Sequence, residues 1–280
     1  MSRLTLVPTP IGALHDITQH AIEVLSQADV IAAEDTRRSG QLLAHHGIDT
    51  PLVRLDAHTI PTRATQVLQE HGHVAYVSDA GTPGISDPGA DLVRIALDAG
   101  HEVEALPGPT AFVPALVLAG FPVARFTFEG FLPRKGSGRN GRLRAIADRT
   151  HPSAIYEAAN RMAGTLQDLA SVCGEDRQAS VSRELSKRFE ETRRGTLGEL
   201  IAWATETPPK GECVLVLQGA PEPDARVGGA ARMLQVQAAD AAERLAATGL
   251  QGKPLRDALQ ALGIPRNEAY ELAMAQSEPA

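Results

Sequence analysis

"VSDAGTPGISDPGADLVRIALDAG", residues 77–100, contains a strand end, a rigid loop and a helix in a single run. The apolar lead-in "HVAYVS" (73–78) reads as a buried strand. The loop that follows has glycines at 81, 84 and 89 and prolines at 83 and 88. Beyond it, Leu92, Ile95, Ala96 and Ala99 form a one-sided stripe that Gly100 stops, the spacing of an amphipathic helix.

The same alternation extends outward. "LTLV" (4–7), "DVIAA" (29–33) and "HEVEAL" (101–106) read as further buried strands, and "DITQHAIEVLSQA" (16–28) as a helix between two of them. Strands separated by helices predict a largely parallel sheet covered by helices. From about residue 124 a second set begins. It comprises "RFTFEGF", a helix near 139–149, "SAIYEA", a helix near 160–172, "ASVSREL", "FEETRRG" and "ECVLVLQG". Consecutive strands with no helix between them predict partly antiparallel pairing there. The expected organisation is an α/β domain over 1–122, a second over 123–220, a Pro- and Gly-rich linker over 221–231, and a helical segment over 232–280. In that segment Leu255, Leu259 and Leu262 share a face, and Asn267 is a candidate cap. Lys253, Arg256 and Arg266 give it helix–turn–helix cations, with packing as the competing role.

Composition narrows the function. No apolar run reaches the roughly 18 residues of a membrane span, and "MSRLTLVPTP" lacks the apolar h-region and small-residue cleavage site expected of a signal peptide. Cys173 and Cys213 lack paired spacing, so a reduced, cytoplasmic protein is expected. A net charge of −7 argues against coating nucleic acid by bulk electrostatics. Locally, however, Arg134, Lys135, Arg139, Arg142, Arg144 and Arg149 face Asp148 alone. The nine histidines show no metal-ligand spacing, so no metal is expected. Trp203 reads as a packing residue.

Four predicted strand ends carry unusual loops: "VPTPIG" (7–12), "AAEDTRRSG" (32–40), "VSDAGTPGISDPG" (77–89) and "LPGPTAFVPALVLAGFP" (106–122). Ligands of open α/β sheets bind outside the carboxyl ends of the strands. Prolines there fix loop shape and glycines allow close backbone approach. Turn chemistry explains any one of these loops, but four together predict a pocket. "GSGRNG" (136–141) matches a dinucleotide fingerprint, yet "PRK" separates it from the preceding strand. Its glycines are expected to hinge a mobile basic arm.

In order, "VPTPIG", "AAEDTR", "VSDAGTPGISDPG", "LPGPTA", "FEGFLPRK" and "KGECVLVL" resemble the RNA-modifying branch of the tetrapyrrole methylase superfamily, from about residue 4 to 276. The resemblance implies a class III S-adenosylmethionine methyltransferase fold, two α/β domains with the donor between them, and a homodimer. It implies methylation of the ribose 2′-hydroxyl of cytidine-1402 in the 16S rRNA of the small ribosomal subunit. By matching motifs, the donor is expected at Pro10, Ala80, Gly81, Thr82, Ile85, Thr110, Ala111, Glu157, Leu185 and Cys213. Thr110 and Ala111 would present a helix N-terminus to its carboxylate.

A ribose hydroxyl is a poor nucleophile, so a general base is sought among Asp35, Asp79 and Glu157, with Glu34 next. The competing reading for Asp35 is a partner of Arg37 or a helix cap. Arg37, Arg38, Lys135, Arg139, Arg142 and Arg144 are the expected phosphate contacts. "YEAANR" and "DAHTIPTR" depart from the family pattern and leave Asn160 and His58 without an implied role. Three other readings stay open on the residues: a tetrapyrrole or other small-molecule methyltransferase, a nicotinamide-dependent oxidoreductase resting on "GSGRNG", and a non-catalytic RNA-binding module.

Overall fold

A computed structural model describes residues 2–221, 238 and 240–276. The chain divides into two compact units, Met1–Ala220 and Pro221–Ala280.

In the first unit, β1 (Arg3–Leu6), β2 (Val30–Ala33), β3 (Leu52–Arg54), β4 (His73–Val77) and β5 (Glu102–Ala105) form a parallel sheet in the order β3-β2-β4-β1-β5. Side chains alternate across it, as strand geometry requires. Ile31, Ala33, Ala75 and Val77 pack against α1 (Gln19–Gln27) and α2 (Thr36–His45). Leu4, Leu6, Val30, Ala32, Val74 and Tyr76 pack against α3 (Ile60–Glu70) and α4 (Gly89–Asp98) on the opposite face. Both faces are therefore covered, which is why these strands are apolar throughout. β5 differs from the expectation of a buried strand. It is the sheet edge, and Glu102 and Glu104 are exposed. Short edge strands carrying charge are protected from pairing with other chains.

From β1 the chain runs toward one edge of this sheet, and from β4 toward the other. The crevice at such a reversal lies between the two strands' C-terminal loops. Those loops meet: the Thr9 and Gly81 amides each donate to the other's carbonyl, at 2.9 and 3.0 Å.

The second sheet comprises β6 (Thr127–Phe131), β7 (Ser153–Ala158), β8 (Gln178–Arg183), β9 (Glu191–Thr196) and β10 (Glu212–Leu217), in the order β6-β7-β10-β8-β9. Only the β6–β7 pair is parallel. The antiparallel remainder is what the helix-free strand succession implied. One face packs on α6 (Ser137–Ala147), α7 (Met162–Cys173) and α8 (Leu197–Glu206), with Leu143, Ile146, Leu166, Leu169, Leu197 and Leu200 buried among them; Trp203 packs there too. The other face receives α5 (Phe112–Ala119), through Ala115, Leu116 and Ala119.

"GSGRNG" is not a hinge. Gly138 and Gly141 lie inside α6, which starts after Gly136 at φ +88°. Arg139 holds the helix down: its guanidinium donates to Asp168, to the Pro133 carbonyl and to the Thr165 hydroxyl, at 2.8–3.0 Å. Such anchoring outweighs the roughly 1 kcal/mol that a glycine costs a helix.

In the second unit, a helical stretch at 240–247 (α9), α10 (Gly252–Ala261) and α11 (Arg266–Ala275) enclose Ala242, Leu255, Leu259, Ala269 and Ala273. Leu262 is exposed rather than sharing that face. Asn267 sits within α11, not at its cap. The expected linker at 221–231 lies, from 222 onward, outside the described residues. No helix among the described residues is long and apolar enough to cross a membrane.

Candidate active site

Three of the four strand-end loops knit into one wall. Gly108 approaches Pro8 so closely that a Cβ would collide with the proline ring. The Thr82 hydroxyl donates to the Pro109 carbonyl at 2.9 Å. Asp87 Oδ1 accepts from the amides of Gly84 and Gly89 at 2.7 and 2.8 Å, closing the 78–88 loop on itself. Opposite stands the second sheet. The strap after β8 reaches across, where the Ser186 hydroxyl hydrogen-bonds Asp16 and accepts from the Ala13 amide at 3.1 Å. Glu184 and Ser186 hold left-handed φ angles of +51° and +63°, with Leu185 between them. Strain at non-glycine residues clusters where a site requires it.

Between these walls lies a cleft of about 690 Å³, within the range of small-molecule sites. Ala80, Gly81, Thr82, Ile85, Thr110, Ala111, Glu157, Leu185 and Cys213 all line it. Pro10 does not; its neighbour Ile11 does. Ser78, Phe131, Tyr156, Gly211 and Val214 also line it and were not anticipated. Tyr156, Gly211 and Val214 adjoin the residues singled out in "YE" and "KGECV", and Ser78 adjoins Asp79, whereas strand alternation gave no signal for Phe131.

The carboxylates separate. Asp35 is outside the lining: it caps α2, accepting from the Arg37 amide at 2.9 Å and pairing with that guanidinium at 2.9 Å. The Arg37 hydrogen bonds hold its carboxyl well below the usual range, so it is a poor proton acceptor. Asp79 does line the cleft, with Oδ2 at 3.3 Å from Arg38 and Oδ1 buried without a hydrogen-bond partner among the described residues. Glu34 lies beside it and accepts from the Asp79 amide at 3.4 Å; burial raises the Glu34 carboxyl above its ordinary value. Glu157 is spent on structure. It accepts from Thr165 at 2.6 Å and the Ala158 amide at 2.9 Å, and pairs with Arg161 at 3.3 Å. Cys213 is buried and its thiol is pushed up to about 11, so it is not a thiolate nucleophile near neutral pH.

The α5 N-terminus also differs from expectation. Its Ala111 and Phe112 amides are directed at the Tyr156 hydroxyl; burial nevertheless dominates and raises that phenol. The cations divide as well. Arg139 is buried and saturated, and Arg142 is drawn to Glu129, its Nε donating at 2.6 Å. Arg139 is thereby withdrawn from solvent, whereas Arg142 remains exposed while engaged by Glu129. Arg134, Lys135 and Arg144 are exposed and lack an acidic partner among the described residues. No group of three or more His, Cys, Asp or Glu among the described residues suits a metal ion.

The orphaned Ser78 hydroxyl and Asp79 Oδ1, together with the backbone-lined loops, fit a polar donor of nucleoside size. Two mixed α/β layers around one loop-built cleft define the class III S-adenosylmethionine-dependent methyltransferases. Thermus thermophilus uroporphyrin-III C-methyltransferase, solved with S-adenosylhomocysteine, shares the fold at a TM-score of 0.57 and 20% identity, over 78% of this chain and 97% of that one. A cobalt precorrin-4 methyltransferase does so at 0.58 and 17%, over 76% and 94%.

The chain belongs to the tetrapyrrole (corrin/porphyrin) methylases, whose family model matches residues 3–201, and within them to the group of the ribosomal RNA small subunit methyltransferases I. The enzyme of that name from Escherichia coli O157:H7 is 42% identical over 98% of this chain and 95% of its own. That from Synechocystis is 41% identical over 98% of each.

Proposed function

We propose that this protein transfers a methyl group from S-adenosylmethionine to the ribose 2′-hydroxyl of cytidine-1402 in 16S rRNA, in the cytoplasm, with the small ribosomal subunit as its substrate. The observation that carries this reading is the convergence of the 78–85 loop, Thr110, Ala111, Leu185 and Cys213 on one cleft with Asp79 in its wall.

The donor supplies an activated methyl group on a sulfonium. The chain's work is therefore alignment, exclusion of water and proton removal. Backbone at Ala80 and Gly81 cradles the donor, and Ile85, Ala111, Leu185 and Val214 shield it. Asp79, in the cleft wall, accepts the hydroxyl proton, while Arg38 holds its Oδ2. Arg134, Lys135 and Arg144 meet phosphates, which position RNA without reading its sequence. A second copy of the chain covers the apolar face of α5, where Val113 and Val117 stand exposed.

The test uses small subunits that lack the modification, purified protein and isotope-labelled donor, with ribose methylation mapped along the RNA. Label is expected on the 2′-oxygen of cytidine-1402, falling about 100-fold with Asp79→Asn. Label at another RNA position, or transfer to a tetrapyrrole acceptor instead, overturns the reading.

A further inference from the structure

Plain strand alternation would put Phe128 and Phe131 of "FEGF" on opposite faces of the second sheet, because they are three residues apart. The structure puts them on one face. Phe128 pairs with Ala154, but Gly130 pairs with Ile155 and Phe131 with Tyr156, so Glu129 is an extra residue in β6. Glu129 turns to the opposite side, where Arg142 and Arg149 neutralise it. Gly130 makes the bulge possible with φ +60°, and it passes so near the 78–88 loop that a Cβ would stand 3.0 Å from Ser86 Oγ. A bulge beside an active site commonly re-aims a side chain.

The re-aimed side chain is Phe131. It closes an aromatic row in a protein that is only 4% aromatic. Phe112 stacks on Phe128 at 4.5 Å, Phe128 meets Tyr156 edge-on at 4.9 Å, and Tyr156 meets Phe131 at 5.7 Å. The first three rings are half-buried, whereas Phe131 is 56% exposed and lines the cleft. A lone exposed phenylalanine on a surface means little. This one is held by a bulge, backed by a second ring, and followed at once in the chain by the unpartnered cations Arg134 and Lys135. An aromatic face beside backbone-neutralising cations is the composition of a platform for unpaired nucleotides.

We propose that Phe131 is the stacking platform for the base of the acceptor nucleotide, a nucleobase subsite at the rim of the cleft. This rests on the RNA methyltransferase reading above. A nucleotide presented to Asp79 must leave its stacked neighbours, and RNA-binding proteins take up such splayed bases on aromatic rings. The ring lines the same cleft as the loops assigned to the donor, but with more than half of its surface exposed it stands at the rim. The bulge thus fixes acceptor position separately from donor position.

The experiment compares wild type, Phe131→Ala, Phe131→Leu and Phe131→Trp in steady-state methylation of unmodified small subunits, with donor affinity measured calorimetrically on each. Leucine keeps the apolar bulk against Tyr156 without an aromatic face. The Ala and Leu variants are each expected to lose about 10-fold in kcat/KM for the subunit. Trp should restore it to within about twofold of wild type, and all four proteins should bind donor within about twofold of one another. Unchanged kcat/KM in both Ala and Leu variants overturns the subsite, with the methyltransferase reading intact. So does a loss of donor affinity matching the loss of kcat/KM, which assigns the ring to the donor's adenine. A wild-type protein that binds donor but labels no RNA overturns the reading itself and the subsite with it.

Discussion

Burial lifts the Glu34 carboxyl above its ordinary value, and the charges of Asp79, Asp87 and Asp56 push the same way against the Asp79 amide that it accepts. A carboxyl so raised binds its proton more tightly in the folded state than in the unfolded. Stability is therefore lost as pH rises from the ordinary carboxyl range through the raised value. Glu34→Gln should raise Tm by about 2 °C at pH 7.5, and the gain should vanish below pH 4, where both states carry the proton. Calorimetry at the two pH values checks this; a gain independent of pH would mean that charge is not the cause. Asp56 runs the other way. The Thr59 hydroxyl, ahead of the Thr59 amide and Arg54, holds it at about 2, so its contribution persists at neutral pH and is lost as pH falls from about 4 toward 2. An Asp56→Asn protein should accordingly show a shallower loss of Tm over that interval. "AED" displayed two adjacent acids, but nothing in its spacing said which would face the cleft. That depended on where β2 ends and α2 begins, because the first residue outside the helix becomes its cap.

At the scale of elements, the loops act as a set. Gly108 lets the 106–110 loop lie against Pro8, and the Thr9–Gly81 pair ties the first loop to the third. Gly108→Ala should part the 106–110 loop from Pro8, lowering Tm by a few degrees and weakening donor binding about 10-fold by calorimetry. Asp35→Ala, by contrast, removes a cap from α2. It should lower Tm by a few degrees while leaving kcat for methylation within about twofold of wild type. A large loss of kcat with unchanged Tm would return Asp35 to the chemistry. Most elements were visible as periodicity: the stripe of α4 and the apolar runs of β2 and β4 left little choice. The bulge in β6 and the unbroken run of α6 through two glycines were not visible. Both depend on distant partners: Arg142 and Arg149 for Glu129, and Asp168 and Thr165 for Arg139.

For the whole molecule, every residue lining the cleft lies within Met1–Ala220, in walls contributed by two sheets. A ligand bound by both walls opposes their separation. At 100 times its dissociation constant it adds about 2.7 kcal/mol, or about 5–10 °C in Tm for a unit of this size. A chain ending at residue 220 should show the same donor-dependent rise as the full protein, read by scanning calorimetry. Loss of the rise in the shorter chain would make the second unit part of the donor site. By itself, the sequence determined the alternation of strands and helices, the rigid loops at the strand ends and the family they resemble. Periodicity, turn residues and motifs are local properties of a chain, written within a few residues of one another. The tertiary structure decided which acid faces the cleft, which arginines stay exposed without an acidic partner among the described residues, and that Phe131 stands at the cleft's rim. The position of Phe131 and the burial of Arg139 turn on contacts with partners far along the chain, Arg149 for Glu129 and Asp168 for Arg139, and only folding brings those together.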